Sequence, residues 1–355
     1  MNITDRHYYD RNYCAIITPF KADSLEIDYD AFREHIQYFT RDPQYAKQKG
    51  SFIVNPEAAE MFYMTREERK NLIKIMMEER LDDMPIFAGV FGVTVDEAIE
   101  CALDAKELGV DGLFIFPPTG TMEVSIAIDN VKYPEVWTRW VMAIDDAVDL
   151  PIILHPAAPY SNNWGLSLPI NCIKMLLDNI PNIVGYKMIY GNDAVSFRVA
   201  HFLRSYPRHV SILNVPFYGW LEAEMCGLVD GTVQGAWNWG KEVYYALAEA
   251  KEKNDFTEVG KVMSKQIIPL FEYIYEGGAR VHIRYKLATW LRGNISHPYM
   301  LPPMGPPTKE EAETLYTIIE NSGLSLISRE EFKTVLAKQE AILSTGIKRN
   351  KQSYV

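Results

Sequence analysis

Asn182-Ile-Val-Gly-Tyr-Lys-Met-Ile-Tyr-Gly-Asn192 is a short apolar run that carries one lysine, Lys187, near its middle. Pro181 precedes the run, and a Gly-Asn pair ends it. This pattern is typical of a strand that is covered on both faces. Lysine is rarely buried without a partner or a function. The stretch therefore predicts both a buried strand and a candidate functional side chain.

Lys187 is a candidate nucleophile. Burial disfavours the charged form of a lysine and lowers its pKa. The ordinary pKa is about 10.4, so a value near ~7 requires roughly 4–5 kcal/mol of differential destabilisation. A neutral lysine amine can attack a carbonyl group and form a Schiff base. The alternative is a structural lysine at a strand end, whose ammonium reaches solvent or pairs with a carboxylate.

The composition is ordinary for a globular protein. Of the 355 residues, 48% are apolar and 23% are charged, and the net charge is −11. A chain of this size and composition can form a sizeable hydrophobic core. Without a basic stripe, neither nucleic acid nor an anionic membrane is an expected partner. No apolar run reaches the ~18 residues of a membrane span, and the polar N-terminus has no signal-peptide pattern.

Cysteines and histidines are widely spaced. The cysteines show no C-x-x-C pattern, which predicts free thiols in a reducing compartment and hence a cytoplasmic protein. Apart from His155, the histidines show no metal-ligand spacing, so no metal site is predicted. The cysteines are Cys14, Cys101, Cys172 and Cys226. These other histidines are His7, His35, His201, His209, His282 and His297.

Short apolar runs alternate with helical patterns along most of the chain. Beside the lysine strand, strands are predicted at residues 14–20, 51–56, 85–90, 112–117, 151–155, 210–215 and 231–236. Eight strand and helix units predict an α/β fold, a (β/α)₈ TIM barrel with a C-terminal helical region. The alternative is an open doubly wound sheet, but the sequence has no Gly-rich phosphate loop to favour it.

The predicted domain limits follow from the same pattern. The barrel is predicted over residues 12–240, the helical region over 241–346, and a frayed tail over 347–355. Within these limits, residues 41–49 are predicted to form a polar surface loop, and residues 256–276 a single helix.

His155 is the second candidate catalytic residue. Active sites of (β/α)₈ barrels lie at the carboxyl ends of the strands. His155 ends the fifth strand, next to the strand of Lys187. An imidazole, with an ordinary pKa near ~6.5, is a capable general acid and base. The alternative is a histidine that backbone groups hold in the pocket wall.

Several motifs resemble the dihydrodipicolinate synthase and N-acetylneuraminate lyase family of class I aldolases over about residues 12–325. The resemblance implies a tetrameric barrel in which Lys187 forms an imine with a 2-oxo acid, commonly pyruvate. The imine is the electron sink, so no cofactor is implied. The motifs are Thr18-Pro-Phe20, the frame of Glu60 with Thr65, Glu67 and Glu68, Val184-Gly-Tyr-Lys187, and Gly231-Thr-Val-Gln-Gly-Ala-Trp-Asn238.

The departures from the family pattern concern the substrate. The family's second strand presents a Gly, two hydroxyl residues, a Gly and a Glu, and the hydroxyls hold the substrate carboxylate. Residues 56–60 are Pro-Glu-Ala-Ala-Glu instead. Two like charges ~4 Å apart repel by about 4 kcal/mol at an effective dielectric constant of ~20. Glu57 therefore points away, or is protonated, or the ligand presents no carboxylate there.

Two further positions differ. The family's proton-shuttling tyrosine falls at His155. The arginine that binds a distal carboxylate in the lysine-biosynthesis members falls at Tyr160, so synthesis of dihydrodipicolinate itself is not expected.

The sequence thus predicts a Schiff-base-forming carbon–carbon or carbon–oxygen lyase, either an aldolase, a hydratase-aldolase or a dehydratase. Lys187 is the predicted nucleophile and His155 the acid/base. The expected partners are a small 2-oxo acid or carbonyl substrate and further copies of the chain, as a tetramer or dimer. The predicted substrate-binding residues are Glu57, Ala58, Val233 and Gln234.

Two alternatives remain. One is a barrel that binds a small ligand for regulation or assembly without turnover. The other is an enzyme that uses the lysine as a base or a charge clamp, without an imine.

Overall fold

Eight parallel strands close into a barrel in sequential order. The computed structural model describes residues 5–118, 132–156, 168–188, 194–214, 220–276 and 280–345. The predicted (β/α)₈ barrel is confirmed, and closure rules out the open sheet. The strands are β1 (Asn12–Ala15), β2 (Gly50–Val54), β3 (Ile86–Val90), β4 (Gly112–Ile115), β5 (Ile152–Leu154), β6 (Ile183–Met188), β7 (Ser211–Asn214) and β8 (Gly231–Gln234).

Helices alternate with these strands and then form the C-terminal region. No helix within the described ranges has the length and apolarity to cross a membrane. The helices are α1 (Tyr29–Thr40), α2 (Pro43–Lys47), α3 (Arg66–Glu79), α4 (Val95–Glu107), α5 (Glu135–Val148), α6 (Ile170–Asn179), α7 (Ala194–Ser205), α8 (Trp220–Met225), α9 (Trp237–Glu252), α10 (Phe256–Val262), α11 (Ile268–Tyr275), α12 (Val281–Leu291), α13 (Lys309–Asn321) and α14 (Arg329–Thr345).

The chain divides into two compact units. The barrel unit comprises residues 1–14, 46–56 and 69–234, and the helical unit comprises residues 15–45, 57–68 and 235–355. The barrel unit therefore holds the strands, apart from the last residue of β1. The domain limits 12–240 and 241–346 stay predictions, and the predicted tail 347–355 lies outside the described residues.

A glycine allows the first and last strands to meet. A Cβ on Gly231 would lie 2.0 Å from the carbonyl oxygen of Arg11. The next residue, Thr232, donates its backbone N–H to that same oxygen at 3.1 Å. Its hydroxyl donates to Asn12 Oδ1 at 2.9 Å. The approach of β1 to β8 thus requires a residue without a side chain at position 231.

Two local predictions are wrong. Residues 41–49 contain α2 instead of only a polar loop, because the buried ring of Tyr45 packs 4.9 Å from that of Phe39 and 5.7 Å from that of Trp237. Residues 256–276 form α10 and α11 with a π-helical turn, Met263–Ile267, between them. Pro269 supplies the reason, because it lacks an N–H and its ring clashes with the carbonyl four residues earlier.

The helical unit has a core of its own around α12. Trp290 of this helix is fully buried, and its ring stacks on that of Phe332 in α14 at 5.8 Å. A capping box opens α13. Thr308 accepts the N–H of Glu311, and the Glu311 carboxylate accepts the N–H of Thr308. Satisfying both backbone donors defines where α13 begins.

Candidate active site at Lys187

Lys187 is the fifth of the six residues of β6 and the one that is not fully buried. Gly185, two positions earlier on the same face of the strand, leaves room for its neighbours. A Cβ there would lie 3.0 Å from Ile153 and 3.2 Å from Leu213. Ile153 and Leu213 therefore form a packed apolar layer below Lys187. The lysine side chain extends toward His155, the residue that follows the carboxyl end of β5.

His155 immediately follows β5 and continues its hydrogen bonding. Its backbone N–H donates to the carbonyl of Ile115 at 3.0 Å. Leu154 is in register with Tyr186, so the next residues along, His155 and Lys187, are neighbours on one face. His155 Nε2 lies 3.2 Å from Lys187 Nζ, and the histidine is only 4% exposed. The structure thus brings together the two residues proposed from sequence as catalytic.

Two phenylalanines form the wall beside this pair. The His155 ring lies 5.0 Å from the ring of Phe114 and 4.8 Å from that of Phe116. Lys187 Nζ lies 5.6 Å from the Phe114 ring centroid. The indole N–H of Trp140 donates to the Phe116 carbonyl at 3.0 Å. Sequence reasoning did not single out these rings, although their spacing of two residues in the predicted strand 112–117 was a usable signal.

The strand register places the side chains of Val233 and Gln234 on opposite faces of β8. Lys187 is in register with Leu213, and Leu213 with Gly231. Because side chains alternate along a strand, Val233 shares the face of Lys187 and Gln234 faces the other way. Gln234 is 2% exposed, and neither of its amide atoms has a hydrogen-bond partner within the described part of the chain. A contribution of Gln234 to a site at Lys187 would come through its backbone.

Glu57 and Ala58 belong to the helical unit, whereas Lys187 and His155 belong to the barrel unit. They lie in a 3₁₀ turn, Glu57–Ala59. Glu57 Oε2 lies 4.0 Å from Nε2 of His282, and Ala58 is buried. The substrate-binding roles of Glu57 and Ala58 stay predictions. The predicted site position at residue 160 lies outside the described residues.

Glu60, the residue that matches the family frame, is buried in an ion pair. Its backbone is left-handed, with φ of 66°. Its carboxylate accepts hydrogen bonds from the Lys286 ammonium and, at 2.6 Å, from the backbone N–H of Leu301. Lys286 also donates to the Tyr299 carbonyl at 2.9 Å. Burial lowers the pKa of Lys286, and the Glu60 carboxylate opposes that shift. Sequence reasoning missed Lys286, since a lysine in the apolar pattern of α12 gave no sign of its partner.

Comparison with known proteins agrees with this architecture. The sequence profile of the Dihydrodipicolinate synthetase family matches residues 9–322. A 4-hydroxy-tetrahydrodipicolinate synthase of Chloroherpeton thalassium is 25% identical over 290 residues, which is 81% of this chain and 87% of that protein. The enzyme of the same name from Endomicrobium trichonymphae is 27% identical over 180 residues, 51% of this chain and 55% of that protein. The chain thus spans about half the length of the first curated relatives that it matches.

Solved structures share the fold. The dihydrodipicolinate synthase of Aquifex aeolicus superimposes with a TM-score of 0.71 at 20% identity, over 90% of this chain and 99% of that one. A prophage protein of the dihydrodipicolinic acid synthase family from E. coli K12, in complex with pyruvate, gives a TM-score of 0.74 at 20% identity, over 89% of this chain and 99% of that one. With the profile match over most of its length, this chain belongs to the Dihydrodipicolinate synthetase family.

Proposed function

We propose that the protein is a Schiff-base-forming lyase that acts on a 2-oxo acid such as pyruvate, or on its adduct. Lys187 is the nucleophile and His155 the acid/base. The observation that carries the proposal is the 3.2 Å separation of Lys187 Nζ and His155 Nε2 beside an aromatic wall. Family membership supports the same chemistry.

Lys187 and His155 are too close for both side chains to carry a positive charge at low cost. An ammonium and an imidazolium 3.2 Å apart repel by roughly 5 kcal/mol at an effective dielectric constant of about 20. The pair therefore favours holding one extra proton rather than two. When the imidazole holds that proton, Lys187 is a neutral amine with an acid beside it. Partial exposure of Lys187 leaves this amine accessible to a substrate.

The proposed steps use these groups in order. The amine nitrogen attacks the carbonyl carbon of the 2-oxo acid, and the oxygen leaves as water with a proton from the His155 imidazolium. The result is a protonated imine on Lys187. Neutral His155 then removes a proton from the adjacent carbon, and the C–H electron pair moves into the imine to give an enamine. The enamine carbon can bond to an electrophile, and the reverse sequence cleaves such a bond.

Exchange of the pyruvate methyl protons in D₂O, followed by NMR, tests this proposal. Exchange requires both the imine and a base, so it separates chemistry from mere binding. Native protein should catalyse exchange, Lys187→Ala should not, and Lys174→Ala should match the native protein. Lys174 is a suitable control because it is exposed on α6 and pairs with Asp178. Saturable pyruvate binding without exchange in native protein would favour the ligand-binding alternative and contradict the proposal.

We further propose that the chain acts in the cytoplasm as a homo-oligomer, a tetramer or dimer, and that the imine replaces any cofactor. Support for the compartment comes from the four cysteines, which are all free thiols. Sedimentation velocity at micromolar concentration tests the assembly, and a monomer would contradict it.

A further inference from the structure

A second cluster of titratable side chains lies at the amino ends of the strands, away from the end that carries His155. His7, Asp10 and His209 meet there. Asp10 Oδ2 lies 2.8 Å from His7 Nδ1, and Asp10 Oδ1 lies 2.8 Å from His209 Nε2. The two imidazole rings stack with centroids 3.9 Å apart. All three residues belong to the barrel unit.

This cluster is held in place by its neighbours. The fully buried Ser211, the first residue of β7, donates its hydroxyl hydrogen to Asp10 Oδ1 at 2.6 Å. Both carboxylate oxygens of Asp10 thus have partners, Oδ1 with Ser211 and His209 and Oδ2 with His7. The carboxylate is therefore oriented by a buried hydroxyl. An outer hydrogen bond of this kind commonly orients metal-ligating groups.

We propose that His7 Nδ1, the Asp10 carboxylate and His209 Nε2 form a binding site for one divalent transition-metal ion, such as Zn²⁺. The three ligand atoms already lie within 4.8 Å of one another. Imidazole nitrogen and carboxylate oxygen bind Zn²⁺ at about 2.0–2.2 Å, which places ligand atoms of a tetrahedral site roughly 3.3–3.5 Å apart. The fourth position would be open to water.

Small movements convert the present arrangement into that geometry. The nitrogen–oxygen pairs must open by about half an ångström, and the stacked rings must tilt so that both nitrogens point at the ion. The His7 side chain is 68% exposed, so it can rotate without disturbing the core. The hydrogens on His7 Nδ1 and His209 Nε2 must leave those nitrogens, either to the second ring nitrogen or to solvent.

Such an ion would join the N-terminal turn, Arg6–Tyr9, to the start of β7. Sequence spacing gave no sign of this site and predicted no metal, because Asp10 and His209 are separated by 199 positions. Imidazole ligands favour Zn²⁺, Cu²⁺ and Ni²⁺ over Mg²⁺ and Ca²⁺. The inference is independent of the chemistry proposed at Lys187.

Zinc titration against a chromogenic chelator, with native mass spectrometry for stoichiometry, tests the site. The full chain should carry no polyhistidine tag and should be stripped with a chelator beforehand. We expect one Zn²⁺ per chain and a rise in melting temperature with Zn²⁺, but not with Mg²⁺ or Ca²⁺. His7→Ala and Asp10→Asn should each weaken zinc binding by at least ~10-fold, since the loss of even an outer-shell partner costs that much.

His201→Ala is the matched control, because His201 is an exposed histidine on α7 outside the cluster. It should bind Zn²⁺ like the native protein. His7→Ala keeps the test decisive if Asp10→Asn fails to fold, since His7 is largely exposed. Absence of a one-to-one zinc complex, or binding that His7→Ala leaves unchanged, would overturn the proposal.

Discussion

At the scale of single residues, His155 and Lys187 are adjacent because β5 and β6 are in register and His155 takes the next position after its strand. The rings of Phe114 and Phe116 give His155 an apolar side, at 5.0 and 4.8 Å. Sequence reasoning reached both residues because strand ends carry the chemistry in this fold. It did not reach Phe114 and Phe116, since an aromatic residue in a strand also fits simple core packing.

Replacing His155 tests its proposed role as acid and base. We expect His155→Gln to slow deuterium exchange into pyruvate by roughly 10²- to 10⁴-fold, the usual contribution of a positioned general base. Glutamine can still hydrogen-bond to the Lys187 amine, so imine trapping should persist at long incubation. The exchange rate measured by NMR reports proton removal, and the yield of trapped imine reports imine formation, so the two steps can be compared separately. An unchanged exchange rate would assign the base to another residue.

Glu60 and Lys286 form a buried ion pair that the sequence did not reveal. The resemblance to the family pointed to Glu60, and the structure buries it against Lys286 and the N–H of Leu301. Both charged side chains are almost fully shielded from solvent. A sequence cannot reveal that partner, because the two residues are 226 positions apart. Glu60 thus has a structural role within the helical unit.

Breaking this pair should be costly. We expect Lys286→Met to lower the free energy of unfolding by about 3–5 kcal/mol, because it leaves Glu60 buried and uncompensated. The double variant with Glu60→Gln and Lys286→Met should lose clearly less free energy of unfolding, since no unpaired charge remains buried. Chemical denaturation of the single and double variants measures both. A single variant as stable as the native protein would contradict the burial of this ion pair away from solvent.

At the scale of elements, strand order and helix positions followed from sequence more securely than element ends. The first strand was predicted at residues 14–20 but lies at Asn12–Ala15. Pro19 lacks the N–H that a strand residue would donate to its neighbour, so the strand cannot continue through it. Beyond Pro19, Phe20 forms an isolated antiparallel bridge with Ile27. Helix α2 and the π-helical turn were also not predicted, and in each case one residue, Tyr45 or Pro269, determines the local structure. A single buried ring or a proline overrides the local pattern.

Barrel closure gives a prediction at this scale. Gly231→Ala should destabilise the protein by several kcal/mol or prevent folding, because the new Cβ would lie 2.0 Å from a backbone oxygen of Arg11. Backbone atoms cannot move aside as a flexible side chain can. Gly260→Ala is the control, since nothing lies within 4 Å of that position in α10. Melting temperatures should fall sharply for the first variant and rise slightly for the second. Equal melting temperatures would contradict the close approach.

At the scale of the whole molecule, the confirmed features are those that repeat along the chain. Eight strand and helix units and the later helical patterns were enough to predict the closed barrel and its C-terminal helices. The site at Lys187 was predicted in part, because two of its residues lie at strand ends. The cluster of His7, Asp10 and His209 was not predicted, because only the closed barrel brings its members together.

The pH dependence of stability is a further prediction. Burial lowers the pKa of His35 to about 4, although its hydrogen bond to Asn238 opposes the shift. In unfolded chains histidine titrates near ~6.5. The unfolded state therefore binds more protons between these values, and stability falls as pH falls from ~6.5 to ~4, by about 3 kcal/mol in total. Above ~6.5 this residue contributes no pH dependence.

Chemical denaturation at pH 7 and pH 4.5 measures this loss. His35→Gln keeps a donor for Asn238 and does not titrate, so its stability should fall less over the same interval. Glu311 does not confuse the comparison, because its carboxyl has a pKa of about 2 and loses its contribution at lower pH. Equal losses in the native protein and His35→Gln would contradict the assignment.

The proposed chemistry depends on a covalent imine on Lys187, which borohydride reduces to a stable amine that can be detected by mass. Native protein treated with pyruvate and borohydride should gain the mass of pyruvic acid less one oxygen atom, and peptide mapping should place that mass on Lys187. Lys187→Ala should gain nothing, and Lys174→Ala should behave as native. An adduct on another lysine, or no adduct with any carbonyl compound, would contradict the proposed imine and leave a non-covalent role for Lys187.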